Sequence, residues 1–145
     1  MPALRSIIAW MVLCSSSPAF ADVTVADAWV RGMVAGQTVT GAFMTLTSTE
    51  PASLVAASSP VAGKTELHRM VMDHEVMRMR PVKAITLPAM RAVELGSGGY
   101  HLMLMAVKQP LMPGATVPLT LTFKAADGRR FLQAVQAEVR PLAQP

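Results

Sequence analysis

The side chains with the most distinctive chemistry in this chain are its histidines and methionines. Beyond residue 21 there are three histidines, His68, His74 and His101, and ten methionines, of which eight lie between Met70 and Met112. Thioether sulfur is a soft, neutral donor that favours Cu(I) over Zn(II), Mg(II) or Ca(II), and imidazole is a borderline donor. Because methionine also fills apolar cores, the arrangement of these residues decides between metal binding and packing.

Residues 65–72 and 76–82 predict two strands joined as a hairpin. By alternation, each strand carries its donors on one face: His68, Met70 and Met72 in the first, Met77 and Met79 in the second. A two-residue loop at Asp73-His74 places His68 opposite Met79, whereas a loop one position later places Met70 opposite Met79. His68 and Met79 share a face in both registers, and opposed Cβ atoms lie about 4.5–5.5 Å apart. A three-residue loop without a bulge would break this arrangement.

Residues 99–107 predict a strand with two different faces. One face is apolar and suffices to pack the strand on a core: Tyr100, Leu102, Leu104 and Ala106. The other face carries a second set of donors that core packing does not require: His101, Met103 and Met105. The two His-x-Met pairs, with a third methionine strand between them, favour a metal site.

The elements that would position these donors are short strands. Apolar or alternating segments are separated by turn residues at intervals of about 8 to 12 positions, which is typical of an antiparallel sandwich or Greek-key barrel. The predicted strands are residues 23–30, 38–47, 53–57, 65–72, 76–82, 84–87, 92–95, 99–107, 117–123 and 130–139. Residues 130–139 also fit a helix. In residues 117–123, alternation directs Val117, Leu119, Leu121 and Phe123 to the core.

The first 21 residues have the pattern of a signal peptide: a basic start, an apolar run over residues 7–13, and Ala19-Phe20-Ala21 before the expected cleavage point. We expect cleavage after Ala21 and export to the periplasm, which leaves residues 22–145 as one domain. The only cysteine, Cys14, would leave with this segment. A lipoprotein would instead acylate Cys14, but the preceding Leu13 is bulky where that processing prefers a small residue.

Composition excludes several classes of protein. Beyond residue 21, twelve lysines and arginines face nine acidic residues, but the basic residues are scattered without aromatic interleaving, which disfavours nucleic-acid binding. No later segment approaches the ~20 apolar residues of a membrane-spanning helix. An electron-transfer cupredoxin requires a cysteine ligand, which the exported chain would lack. No catalytic motif is present, so we do not expect an enzyme.

Between residues 67 and 105 the sequence resembles the periplasmic PCu(A)C-type copper(I) chaperones, which serve the dinuclear copper site of cytochrome c oxidase. Their signature is a histidine, ten residues, a methionine, twenty-one residues and His-x-Met, and His68, Met79, His101 and Met103 match every gap. The segments Asp27-Ala28-Trp29-Val30-Arg31 and Leu119-Thr120-Leu121-Thr122-Phe123 also resemble the family. His74 departs from it, because members more often have Asp-Gly in this turn.

The resemblance implies a cupredoxin-like β-barrel with one exposed Cu(I) site formed by His68, Met79, His101 and Met103. It implies delivery of Cu(I) to a copper-accepting protein, a cytochrome c oxidase subunit, in some members together with a second copper carrier of the thioredoxin-like type. We expect a monomer. Met70, Met72, Met77 and Met105 are expected around the site. Two alternatives are a periplasmic copper sequestration or tolerance protein without an oxidase partner, and a structural β-module without metal.

Overall fold

Segments rich in β-branched and apolar residues form ten β-strands in the computed structural model, which describes residues 21–142. They are β1 (Val23–Arg31), β2 (Thr40–Ser48), β3 (Ala52–Ser58), β4 (Ala62–Asp73), β5 (Val76–Pro81), β6 (Ile85–Leu87), β7 (Ala92–Leu95), β8 (Tyr100–Val107), β9 (Thr116–Ala125) and β10 (Arg130–Arg140). All ten predicted strands are present, so the all-β prediction is confirmed. Cys14 and the predicted signal peptide up to residue 20 lie outside the described residues.

The strands form a single sheet in the order β5-β4-β8-β7-β2-β1-β10-β9-β3-β6, with an additional pairing between β8 and β2. Most neighbours are antiparallel, but β1 pairs with β10 and β7 with β8 in parallel, which departs from the fully antiparallel expectation. The segment that also fitted a helix is β10, because it pairs with β9 on one side and β1 on the other. Within residues 21–142 no helix is long and apolar enough to cross a membrane.

The core lies between the inner faces of the curved sheet. Val117, Leu119, Leu121 and Phe123 of β9 are all buried, as alternation predicts. Buried side chains of nearly every strand join them in one cluster. The edge strand β5 is the exception, since all six of its residues are exposed and its backbone pairs with β4 alone among the described strands.

Strand β8 is buried on both faces, which corrects the prediction that only one face packs. Leu102 and Leu104 are fully buried as expected, but His101 and Met103 on the opposite face are also buried. The inward face is also shorter than predicted, because Ala106 has a positive φ of 51° and is exposed, and Val107 is buried in its place. The donors of β8 therefore lie in a covered setting.

The β4–β5 hairpin adopts the second of the two registers left open by the sequence. Met70 is paired with Met79 and Asp73 with Val76, so the turn consists of His74 and Glu75. Both turn residues have positive φ, 47° and 67°, which is the backbone of a type I′ turn. This register places Met79 diagonally across from His68, on the same face.

Candidate metal centre

The four predicted ligands lie on three neighbouring strands. His68 of β4 and His101 of β8 are direct cross-strand partners, and their ring centroids are 5.7 Å apart. Met103 follows His101 on the same face of β8, while Met79 reaches the pair from the edge strand, with its Sδ 3.2 Å from His101 Nε2. Residues separated by up to 35 positions in the chain are thereby gathered at one place on the sheet.

His101 is held in a defined orientation. Its Nδ1 lies 3.3 Å from the carbonyl oxygen of Gly99, which can only accept a hydrogen bond, so Nδ1–H donates and the lone pair is on Nε2. Burial lowers the pKa of His101 below its ordinary value. The hydrogen bond to Gly99 opposes this shift, while repulsion from Arg31, and from His68 when it is protonated, adds to it. The neutral ring therefore directs a lone pair towards the sulfur of Met79.

His68 is oriented by a carboxylate. Its Nε2 lies 2.8 Å from Glu66 Oε2, so Nε2–H donates and the lone pair is on Nδ1. This Nδ1 is buried without a hydrogen-bond partner in the structure. A carboxylate that fixes the tautomer of a ligating histidine is a recurrent feature of protein metal sites. Hydrogen bonds from Lys64 and His68 in turn lower the pKa of the Glu66 carboxyl.

A small cavity of about 120 Å³ adjoins these side chains. Its lining includes Met79, His101 and Met103, which are three of the predicted ligands. Phe43 forms one wall, and its ring packs over Gly41, where an added Cβ would lie 2.8 Å from the ring. Only glycine at position 41 therefore admits the ring in this position.

The cavity is apolar on one side and cationic on the other. The guanidinium of Arg31 lies 5.3 Å from the centroid of Phe43 and lines the same cavity. A nearby positive charge repels a divalent ion twice as strongly as a monovalent one. Arg31 by itself therefore disfavours a divalent cation more strongly than a monovalent one.

The predicted ligands differ sharply in exposure. His101 and Met103 are only 4% and 9% exposed, whereas Met79 is 52% exposed. The prediction of an exposed site is therefore correct at Met79 and wrong at the two β8 residues, because Phe43 and the neighbouring strands cover them. Solvent therefore reaches this cluster of side chains at Met79, on the β5 edge.

The other histidine and most other methionines stand apart from this cluster. His74 lies at the exposed tip of the hairpin, 3.5 Å from Asp73. Met70 lines the cavity, whereas Met33 and Met44 are buried in the core. Among the described residues, no group of three or more His, Cys, Asp or Glu side chains could hold a metal ion, so a site here depends on thioether donors.

Three contributors to the site were not identified from the sequence. Glu66 lies two residues before His68, and strand alternation alone could have placed its carboxylate on the histidine face. Phe43 and Arg31 come from β2 and β1, and no local pattern links them to residues 68–103. Their roles follow only from the pairing of β2 with β8 and β1.

Comparison with known proteins gives matches by sequence and by structure. Residues 23–134 match the family model LpqE-like, described as "Putative lipoprotein LpqE-like". A relative from Leifsonia xyli subsp. xyli, "Putative lipoprotein Lxx21020", is 34% identical over 107 residues, which cover 73% of this chain and 63% of that protein. The chain thus spans less than two thirds of that relative.

Solved structures share the fold. The solution structure of apo-DR1885 from Deinococcus radiodurans is 32% identical with a TM-score of 0.59, covering 99% of this chain and 97% of that chain. The copper-bound PCuAC domain from PmoF2 is 20% identical with a TM-score of 0.64, covering 82% of this chain and 92% of that domain. These neighbours confirm the predicted cupredoxin-like fold.

Proposed function

We propose that this chain, which belongs to the LpqE-like family and has the fold of the PCuAC domains, is a copper chaperone that binds one Cu(I) through His68, Met79, His101 and Met103. The family and the fold confirm the resemblance to PCu(A)C-type copper chaperones drawn from the sequence. Copper is the cargo of such a protein rather than a catalytic cofactor, and we propose no reaction at the site.

The observation that carries the proposal is the contact between His101 and Met79. His101 Nε2 and Met79 Sδ lie 3.2 Å apart. Nε2 carries a lone pair and Sδ is a thioether sulfur, so neither atom can donate a hydrogen bond to the other. Metal–nitrogen and metal–sulfur bonds of about 2.0 and 2.3 Å place two donors of one tetrahedral ion roughly 3.5 Å apart. A cation between these two atoms would convert an unfavourable contact into two bonds.

The character of the donors supports Cu(I) in particular. Two thioethers and two neutral imidazoles provide four donors without a formal charge, which suits a soft monovalent ion. The Nδ1 atom of His68, which has no hydrogen-bond partner among the described residues, would be the second imidazole nitrogen bound to Cu(I). The positive charge of Arg31 on the cavity wall opposes a divalent ion more than a monovalent one.

We further propose that the protein works in the periplasm after cleavage behind Ala21 and that residues 22–145 form the working domain. Its partner would be a copper-accepting protein, a cytochrome c oxidase subunit with a dinuclear copper site, and a thioredoxin-like copper carrier would be a second partner. The half-exposed Met79 on an edge strand supports such a transfer, because one ligand can be replaced by a partner's donor while the buried ligands still hold the ion.

Anaerobic titration of residues 22–145 with Cu(I) and with Zn(II) tests this function. We expect one tight Cu(I) equivalent and much weaker Zn(II) binding, because the set has two nitrogen donors and no anionic donor. The Met79→Leu variant should weaken Cu(I) binding at least about tenfold, since even the loss of an outer-shell partner costs 10–100-fold. Met105→Leu, on the same face of β8, is the matched control. Zn(II) binding as tight as Cu(I) binding would exclude the proposal.

A further inference from the structure

The β4–β5 hairpin carries four methionines on one face, arranged as two successive cross-strand pairs. Met70 is paired with Met79, and Met72 with Met77. We name these four residues the thioether ladder. Opposed Cβ atoms in such a hairpin lie about 4.5–5.5 Å apart, and diagonal neighbours about 7–8 Å. Flexible methionine side chains bridge both distances, so three sulfurs at the outer end can reach one ion.

The outer pair has no packing role. Met72 is 66% exposed and Met77 is 48% exposed. The strand that carries Met77 contributes no buried side chain to the core. These residues differ in this respect from Met33 and Met44, which are buried in the core. Exposed apolar side chains that recur in register on one face point to a binding role.

In the outer part of the hairpin, the charged strand residues beyond His68 lie on the face opposite the methionines. Arg78 and Arg80 both contact Asp73, at 3.4 and 3.2 Å, and Arg69 is paired with Arg80 on that face. By alternation these side chains point away from the methionines. The thioether face between the turn and Met70 therefore presents soft neutral donors, with the cationic side chains directed elsewhere.

The inner end of the thioether ladder reaches the proposed site of His68, Met79, His101 and Met103, which we call the His/Met site. Met70 and Met79 both line the cavity that His101 and Met103 also line. From these positions we propose that Met70, Met72 and Met77 form a second, weaker Cu(I) site, through which copper enters and leaves the His/Met site. This inference rests on the proposed function for its inner end. The second site is weaker because it lacks imidazole and lies in water.

The double variant Met72→Leu/Met77→Leu tests this proposal, because methionine and leucine are close in volume and the four proposed ligands stay intact. The matched control is Met90→Leu/Met112→Leu, which changes two equally exposed methionines elsewhere. Each protein is titrated anaerobically with up to two equivalents of Cu(I). The rate at which a strong Cu(I) chelator removes copper from the one-equivalent form is then measured.

We expect the wild type and the control to bind a second, weaker Cu(I), and the ladder variant to lose it. The ladder variant should hold its first equivalent with unchanged affinity and release it several-fold more slowly. A second equivalent that survives the double substitution, or a release rate equal to that of the wild type, overturns the inference. A wild type that binds no Cu(I) at all contradicts the proposed function instead, so the two failures are distinguishable.

Discussion

The two imidazoles of the site are fixed by different partners. His101 donates to a backbone carbonyl, and His68 donates to the carboxylate of Glu66. Each hydrogen bond selects one tautomer and leaves the other ring nitrogen with its lone pair. Orientation of the donors before copper arrives lowers the entropy lost on binding.

We expect Glu66→Ala to weaken Cu(I) binding about tenfold or more, because loss of a carboxylate that orients a metal-bound histidine typically costs 10–100-fold. The fold should persist, since Glu66 is only partly buried. Competition with a Cu(I) chelator measures the change. Glu94→Ala, at an exposed position on β7, is the control, and equal affinities for both variants would contradict a role for Glu66.

The four candidate ligands could be named from the sequence, but their surroundings could not. Donor chemistry and strand alternation single out two His-x-Met pairs and the methionine strand between them. The resemblance to the copper chaperones then implies His68, Met79, His101 and Met103, whose role as ligands stays a prediction. The burial of His101 depends instead on Phe43, whose ring occupies the space left by Gly41 on another strand. Such contacts depend on pairing between distant segments, which spacing does not encode.

At the scale of elements, the hairpin turn decides which residues face Met79. His74 and Glu75 both have positive φ, a conformation that glycine and asparagine adopt more readily. The sequence contains no Asn-Gly or Asp-Gly at this turn, and the register therefore stayed open between two possibilities. In the observed register, the pairing of β4 with β5 must compensate for two unfavourable backbone conformations in the turn.

Glu75→Gly should relieve part of this cost. Glycine adopts positive φ without a Cβ clash but gains more freedom in the unfolded chain. The relief of about 1–2 kcal/mol of left-handed strain exceeds the entropic cost of glycine, about 0.5–1 kcal/mol, so stability should rise by about 0.5–1 kcal/mol. Urea denaturation measures the change. Glu94→Gly, within a strand and without positive φ, should instead lose stability. Destabilisation by Glu75→Gly would contradict the assigned turn.

The strands themselves were predictable because alternation and turn residues are local signals. The exceptions are non-local or conformational. The parallel pair of β1 and β10 joins segments about a hundred residues apart. The burial of Val107 in place of Ala106 accompanies a positive φ at Ala106, which an alanine in the sequence does not predict. Residues 130–139 have a composition that fits a helix or a strand, and only the partners on both sides determine the outcome.

For the molecule as a whole, the burial of His101 makes stability depend on pH in the acid range. The lowered pKa of His101 means that the folded apo protein takes up a proton less readily than the unfolded chain, whose histidine titrates near ~6.5. Below that pH the unfolded state binds more protons, so stability falls as the pH is lowered from ~6.5 towards the folded-state pKa of His101. Above pH ~6.5 His101 is neutral in both the folded and the unfolded chain, so stability no longer depends on pH through this residue.

We therefore expect the unfolding free energy of the apo protein to decrease between pH 7 and pH 5 more steeply than that of a His101→Gln variant. Urea denaturation at several pH values measures both slopes. His74→Gln, at the exposed turn tip, is the control and should retain the wild-type slope. Identical slopes for the wild type and His101→Gln would show that burial of His101 does not oppose its protonation.

X-ray absorption at the copper edge, on residues 22–145 loaded with one equivalent of Cu(I), counts the sulfur and nitrogen atoms bound to the ion. We expect two sulfur and two imidazole nitrogen neighbours, with one sulfur lost in Met79→Leu and both retained in Met105→Leu. A copper shell of nitrogen and oxygen alone, or a sulfur count that Met79→Leu leaves unchanged, would contradict the proposed ligand set.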